Sequence, residues 1–181
     1  MAEHGVDDYG FAKRKAAERL GVGEHAVLPK NSEVEAALVE YQRLFAAESH
    51  ASSLESQRTA ALEAMRILAP FDPRLVGAVL SGTATAHQEV LLHVFSDSAE
   101  AVSLLLLDAG IPYRVGARRV KLNAERVEQY PSVAFTVNDF EVEATVFPRD
   151  GIRQAPLSPT DGKPMRRMGT VDLEVLLATG S

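Results

Sequence analysis

The hydrophobic pattern of this chain changes its period near residue 70, and that change constrains the fold more than any other feature. Before this point apolar residues recur every three or four positions, as they do on one face of a helix. Pro70 and Pro73 then end the helical pattern. From Arg74 onward the apolar segments are short and rich in β-branched residues, which is typical of strands. Helices followed by strands predict an α+β fold, with a helical N-terminal half packed on a small mixed β-sheet.

The helical part contains three periodic runs. The first covers residues 8–20 and ends at Gly21. Ser32 and Glu35 have the spacing of a capping box, which predicts the start of the second run. A polar interruption over residues 49–53 separates this run from a third, over residues 54–68, so that one long helix and a helical hairpin both remain open. The second run carries an apolar stripe that we expect in the core: Leu38, Tyr41, Leu44 and Phe45.

The second part of the chain predicts five strands, over residues 75–80, 89–95, 113–122, 132–137 and 140–147. Asp97 and Gly110 bound an apolar helix after the second strand, and Asn138-Asp139 predicts a tight hairpin turn. Four prolines and three glycines make residues 148–169 irregular, and Thr170 begins a terminal helix. We therefore divide the chain into a helical region (1–70), a mixed-sheet core (71–147) and an irregular C-terminal segment with a short helix (148–181).

Composition excludes several classes of function. Nineteen Lys and Arg against 25 Asp and Glu give a net charge of −6, which argues against binding of extended nucleic acid. The chain has no cysteine, which removes disulfide scaffolds, thiolate zinc sites and cysteine nucleophiles. Its apolar runs are too short to span a bilayer, and charges interrupt the first thirty residues where a secretory signal would be apolar. We expect a cytoplasmic protein with no membrane partner.

The strongest candidate for a functional motif is residues 77–94, with the sequence GAVLSGTATAHQEVLLHV. It resembles the signature of the nucleotidyltransferase fold, the superfamily that includes DNA polymerase beta. In minimal bacterial members the signature runs roughly G-S-x-A-R-G-x-A-T-x-x-S-D-I-D-L-x-V. Aligned without a gap, Gly77 and Gly82 fall on its two glycines, and Glu89 falls on the first metal-binding acid.

This resemblance implies binding of a nucleoside triphosphate and transfer of its nucleotidyl group with the help of Mg²⁺. In such a site a glycine loop lets backbone N–H groups approach the phosphates, while divalent cations neutralise the phosphate charge. Gly77, Gly82 and Thr83 are then the expected nucleotide contacts of the loop. Arg118 and Arg119, in a basic cluster on the third predicted strand, are further candidates for contact with the phosphates.

The metal would be held by carboxylates, of which the family takes two from one strand and a third from its neighbour. Glu141 and Glu143 share one face of the last predicted strand, so either could face Glu89. The resemblance thus gives Glu89 and Glu143 as catalytic residues, and Glu89, Glu141 and Glu143 as candidate metal ligands. The second acid of the pattern is Leu91 in this chain.

Leu91 keeps a second function open, because an apolar side chain cannot bind a metal. In that alternative the protein is a catalytically inactive scaffold or interaction module of the same fold. Two basic clusters, at residues 118–121 and 163–167, could bind a triphosphate or a short stretch of RNA backbone, or could simply be solvated charge on an edge strand. The helical half could pack on the sheet or form a homo-oligomer.

Overall fold

Helices cover one face of a five-stranded mixed sheet in the computed structural model of this chain, which describes residues 9–21, 29–45 and 47–180. The helices in this part of the chain are α1 (Tyr9–Arg19), α2 (Asn31–Phe45), α3 (Ala47–Ile67), α4 (Gly77–Ser81), α5 (Ala99–Asp108) and α6 (Thr170–Thr179), with two 3₁₀ turns at Ala69–Phe71 and Arg149–Arg153. The strands are β1 (Arg74–Val76), β2 (Val90–Phe95), β3 (Tyr113–Lys121), β4 (Val127–Val137) and β5 (Phe140–Phe147). The α+β class expected from the sequence is therefore present.

The strands lie in the spatial order β1, β2, β5, β4, β3, with β1 and β3 at the two edges. Only the central pair, β2 with β5, is parallel. Antiparallel hairpins join neighbouring strands directly, whereas a parallel pair needs a long connection, which here contains α5, β3 and β4. In this central pair Leu91 lies opposite Glu143, and His93 lies opposite Thr145.

The core lies between the sheet and the helices because the central strands alternate in polarity. Val90, Leu92 and Val94 of β2 are fully buried, as are their neighbours on β5. Small residues of α3, such as Ala60, Ala61 and Ala64, let this helix approach closely, and all three are fully buried. Side chains on strands alternate between the two faces, so the opposite face receives the polar residues of the same strands. That polar face carries the candidate site.

The C-terminal segment crosses the polar face from one sheet edge to the other. At β3 the Leu157 N–H donates to the Lys121 carbonyl at 2.7 Å. At β1 the backbones of Leu75 and Met168 exchange two hydrogen bonds, of 2.8 and 3.0 Å. Between these anchors residues 156–165 fold back in a tight antiparallel turn, which we term the C-terminal hairpin. The segment is thus irregular, as expected, but bonded at both ends.

Several local predictions are correct. The strand over residues 140–147 has the expected bounds, and α6 begins at Thr170. Asn138 and Asp139 both have positive φ, of 49° and 68°, as the two central residues of a type I′ hairpin turn require. The division into three regions is not tested by these features and stays a prediction.

Other local predictions are wrong. The strand predicted over residues 75–80 ends at Val76, because Gly77 adopts a φ of +74° and the chain turns into α4. Residues 49–53 do not interrupt α3, which begins at Ala47; Ala46 lies outside the described residues. The predicted capping box is displaced, since Glu33 accepts the backbone N–H of Lys30 at 2.6 Å. In the apolar stripe of α2, Tyr41 and Leu44 are exposed rather than buried, and the Phe45 side chain lies outside the described residues.

Candidate functional site

A cleft of about 710 Å³ opens on the polar face of the sheet. Its floor includes Leu91, His93 and Thr145 from the two central strands. One side is α4 with the residues just after it, and the other is the C-terminal hairpin. The first turns of α2 lie over the opening, where the Asn31 side-chain amide donates to the carbonyl of Pro159 at the tip of that hairpin. This volume lies within the usual range for small-molecule sites, about 300–1,000 Å³.

The predicted glycine loop is divided between the cleft and the packing beneath it. Gly77 and Thr83 line the cleft, whereas Gly82 is absent from the cleft wall among the described residues. A side chain on Gly82 would instead approach Leu54 and Arg58 of α3, at 3.8 Å. The backbone N–H groups of Gly82 and Thr83 both donate to the Ala78 carbonyl, at 2.9 and 3.0 Å. These two amides close α4 and are not directed at a ligand.

One buried and one half-buried side chain of α3 hold this loop in place. Gln57 is fully buried, and its side-chain NH₂ group donates to the carbonyls of Thr85 and Gln88 at 2.8 and 3.1 Å. Arg58 donates to the carbonyls of Val79 and Leu80, near the C-terminal end of α4. Polar groups buried in this way are stabilising only when they are hydrogen-bonded. The loop before β2 is therefore held by contacts with α3, and the Gln88 side chain lines the cleft.

Two of the predicted carboxylates meet at one cation. Arg118 Nη1 lies 2.6 Å from Glu143 Oε2 and 3.6 Å from Glu89 Oε1. All three side chains are largely covered, with exposed fractions of 19% for Arg118, 17% for Glu143 and 31% for Glu89. Arg118 lines the cleft, whereas neither glutamate does so among the described residues. The sequence left either Glu141 or Glu143 to face Glu89; of these two, Glu143 shares the Arg118 guanidinium with Glu89.

The remaining predicted acid, Glu141, lies further along β5 and is paired elsewhere. Arg114 of β3 forms an ion pair with it, and both side chains are at least half exposed. An exposed pair of this kind contributes roughly 0–1 kcal/mol to stability. Glu141 is therefore not joined to the Arg118 cluster by any contact in the described residues.

These side chains do not fit a Mg²⁺ ion as they are placed. Mg²⁺ requires close to six oxygen ligands at about 2.1 Å, with carboxylates supplying the charge. Leu91, at the position of the second acid, instead directs its Cδ1 to within 3.2 Å of where a Cβ on Gly77 would lie. The Arg118 guanidinium already lies against both carboxylates. Among the described residues no group of three or more His, Asp or Glu side chains could hold a metal ion.

Cations dominate the cleft, although the protein as a whole is acidic. Its wall includes two acidic residues, Glu35 and Asp161. Four basic residues also line the wall: Arg118, Arg119, Lys121 and Arg166. Within the described part of the chain, Arg118 is the only one of these four whose side chain has an ion pair. The other three basic side chains are exposed and available to a ligand.

Beneath the C-terminal hairpin a buried histidine anchors the crossing segment. Arg167 Nε donates to His93 Nδ1 at 3.1 Å, and its Nη1 donates to the Gly151 carbonyl at 2.9 Å. The guanidinium also lies over the rings of Phe95 and Phe147, at 4.9 and 5.3 Å from their centroids. Burial, together with the positive charges of Arg167 and Arg118, lowers the pKa of His93 to about 3. His93 is therefore neutral at physiological pH.

Sequence reasoning missed Gln57, Thr145 and Arg167 as parts of this site. Arg167 was placed only in a basic cluster of an irregular segment, and no local pattern indicates that this segment returns to β1. Gln57 gives one usable signal, since a polar residue among Ala60, Ala61 and Ala64 on a buried helix face must find hydrogen-bond partners. The signal indicates a buried amide but not which loop it holds.

The chain matches no protein-family model, and no curated protein matches it in sequence. Across the described residues, none of the helices combines the length and apolar character needed to cross a membrane.

Proposed function

We propose that the cleft binds a nucleotide through its phosphate groups. The observation that carries this proposal is a set of three cations in the wall of one cleft, Arg119, Lys121 and Arg166, none of which has an ion pair within the described residues. By contrast, Arg114 of β3 and Arg126, just before β4, are neutralised by neighbouring glutamates. Unpaired cations repel one another, so their gathering in a protein of net charge −6 favours an anionic ligand.

The rest of the wall suits the base of such a ligand. Val39 of α2 and Leu157 and Met165 of the C-terminal hairpin line the same cleft, with Val127 at the start of β4. A ligand that is apolar at one end and anionic at the other matches this distribution better than inorganic phosphate does. Pockets of this kind combine an apolar surface with a few polar groups that fix orientation.

The nucleotidyltransferase resemblance belongs to the same proposal. Gly77 and Thr83 of the matched segment line the cleft, and Glu89 is brought to Glu143 of the neighbouring strand through Arg118. The acids that would carry group transfer are thus engaged with a guanidinium, and Leu91 replaces the one between them in the pattern. We therefore favour a nucleotide-binding protein of this kind without transfer activity, which keeps the expected nucleotide binding and shares only the loss of catalysis with the scaffold alternative.

Calorimetric titration with ATP and GTP tests the proposal. The wild-type protein should bind at least one of them, and the triple variant R119A/K121A/R166A should bind it at least thirtyfold more weakly, because each lost cation–phosphate contact is worth about 1–3 kcal/mol. The matched control is R149A/R153A/K163A, which removes the same charges from exposed positions outside the cleft.

Two results would contradict the proposal. The first is the absence of heat and of any shift in melting temperature with either nucleotide. The second is equal weakening in the two triple variants, which would mean that general charge, rather than this cleft, attracts the nucleotide.

A further inference from the structure

Arg118 lies where a divalent cation would have to lie to join Glu89 and Glu143. Its Nη1 contacts both carboxylates, at 3.6 and 2.6 Å, and its side chain is only 19% exposed. A guanidinium approaching carboxylates with little access to water forms strong, directional hydrogen bonds. Removing either partner from such a pair leaves a poorly solvated charge behind. The cluster is therefore difficult to open.

The charge of the cluster decides what it can accept. Two carboxylates and one guanidinium sum to about one negative charge. The glutamates lie behind Arg118 and do not line the cleft, so the guanidinium is the charged group of this cluster that a ligand would meet first. Bare carboxylates at this place would repel a phosphate at short range. Arg118 offsets part of this repulsion without any metal.

The side chains around Arg118 do not offer a metal ion a better site than the one that the guanidinium occupies. Mg²⁺ would have to displace the guanidinium from two carboxylates and would then face Leu91, which is packed against Gly77. Mg²⁺ retains waters readily, but it needs carboxylates free to bind it. The phosphate charge can instead be balanced by Arg119, Lys121 and Arg166 in the same wall.

From this arrangement we infer that the cleft binds its nucleotide without a divalent cation, with Arg118 taking the place of the metal between Glu89 and Glu143. This inference rests on the proposed nucleotide binding for its ligand, but its statement about the metal concerns the protein alone. Arg118 offsets one of the two negative charges of the glutamates, and Arg119, Lys121 and Arg166 bind the phosphates. Group transfer would need a divalent cation to activate the attacking hydroxyl, and Arg118 already lies against the two carboxylates that would hold it.

The first test measures the metal dependence of binding. ATP is titrated into the wild-type protein once with excess EDTA and once with excess MgCl₂. We expect the Kd in EDTA to be equal to or lower than the Kd with Mg²⁺, because uncomplexed ATP carries more negative charge for the three cations. A Kd more than tenfold weaker in EDTA would overturn the inference while leaving nucleotide binding intact.

The second test needs no nucleotide. Mn²⁺ is titrated into the wild-type protein and followed by the loss of its free-ion electron paramagnetic resonance signal. The wild type should not bind stoichiometric Mn²⁺ at micromolar concentrations. The variant L91D/R118Q restores the acid and removes the guanidinium, so it should bind Mn²⁺ at least tenfold more tightly. Its melting temperature should also rise when Mn²⁺ is added.

The controls separate this cluster from other acids on the surface. E89Q/E143Q removes both carboxylates and leaves Arg118 in place. Stoichiometric Mn²⁺ binding by the wild type that E89Q/E143Q abolishes would overturn the inference, whatever the nucleotide titration gives. If L91D/R118Q does not fold, this wild-type comparison still decides the question.

Discussion

The Nε–H of Arg167 donates to Nδ1 of His93 across 3.1 Å, and this hydrogen bond fixes the protonation of a buried imidazole. A ring nitrogen that accepts a hydrogen bond carries no proton, so His93 is the neutral tautomer protonated at Nε2. The imidazole also packs on Phe147, with ring centroids 4.6 Å apart. One hydrogen bond thus joins the end of the crossing segment to the centre of the sheet.

This pairing predicts a loss of stability on mild acidification. Burial holds the pKa of His93 at about 3, whereas in the unfolded chain it is about 6.5. Between these values the unfolded state binds a proton that the folded state does not, so the free energy of unfolding falls as the pH falls from about 6.5 towards 3. From pH 7 to pH 5 the loss from this one group is about 2 kcal/mol.

Urea unfolding of the wild type and of His93→Asn at pH 7 and pH 5 measures this effect. The Asn side-chain oxygen can accept the Arg167 hydrogen bond, but it does not titrate. We expect the wild type to lose about 2 kcal/mol more than the variant between the two pH values. An equal loss in both proteins would show that other groups cause the pH dependence.

Gly77 is predicted to be the least replaceable glycine of the cleft. Its φ of +74° costs an alanine about 1–2 kcal/mol, and an added Cβ would lie 3.2 Å from Leu91 Cδ1. Gly162 has a similar φ, of +70°, with nothing within 4 Å of the added Cβ. Gly162→Ala should therefore cost only the backbone contribution, about 1 kcal/mol, and Gly77→Ala roughly twice as much. If both variants lose the same free energy of unfolding in urea, the Leu91 side chain accommodates the added methyl group at no cost in stability.

The fold was predictable where local patterns determine structure, and less so where distant segments meet. The period change near residue 70 and the Asn138-Asp139 turn gave the class and one hairpin correctly. The strand predicted over 75–80 was wrong because Val79 and Leu80 are buried on a short helix, and a short apolar run has the same composition in either state. Here the positive φ of Gly77 ends the strand and begins the short helix.

The candidate site was predictable in part for the same reason. Strand alternation was enough to place Glu141 and Glu143 on one face of β5, but cross-strand register determines which of them meets Glu89. That register sets Glu143 opposite Leu91 and brings Arg118 from the far edge of the sheet. Arg118 was expected to bind phosphate. Its ion pairs with the two glutamates join β3, β5 and the residue just before β2, and no local pattern encodes that meeting.

Asp139 offers a site at which a substitution should stabilise the protein. Its φ of 68° is the left-handed conformation that a type I′ turn requires at its second central position, and glycine adopts it at lower cost than aspartate. Asp139→Gly should raise the free energy of unfolding by about 0.5–1 kcal/mol, whereas Asp139→Ala should lower it. Thermal unfolding of both variants tests this, and a lower melting temperature for the glycine variant would contradict it.

Gln57 is predicted to control the loop between α4 and β2 from inside the core. Its NH₂ group satisfies the carbonyls of Thr85 and Gln88, while its amide oxygen is buried without a partner among the described residues. Gln57→Met keeps the volume but leaves both carbonyls unsatisfied, at a cost of about 2–3 kcal/mol. Gln57→Glu should be worse at pH 7, because a carboxylate would face two carbonyl oxygens, and should recover relative to Gln57→Met at pH 5 as protonation restores one donor. Hydrogen exchange should show faster exchange in this loop for both variants, and unchanged exchange there would mean that other contacts hold it.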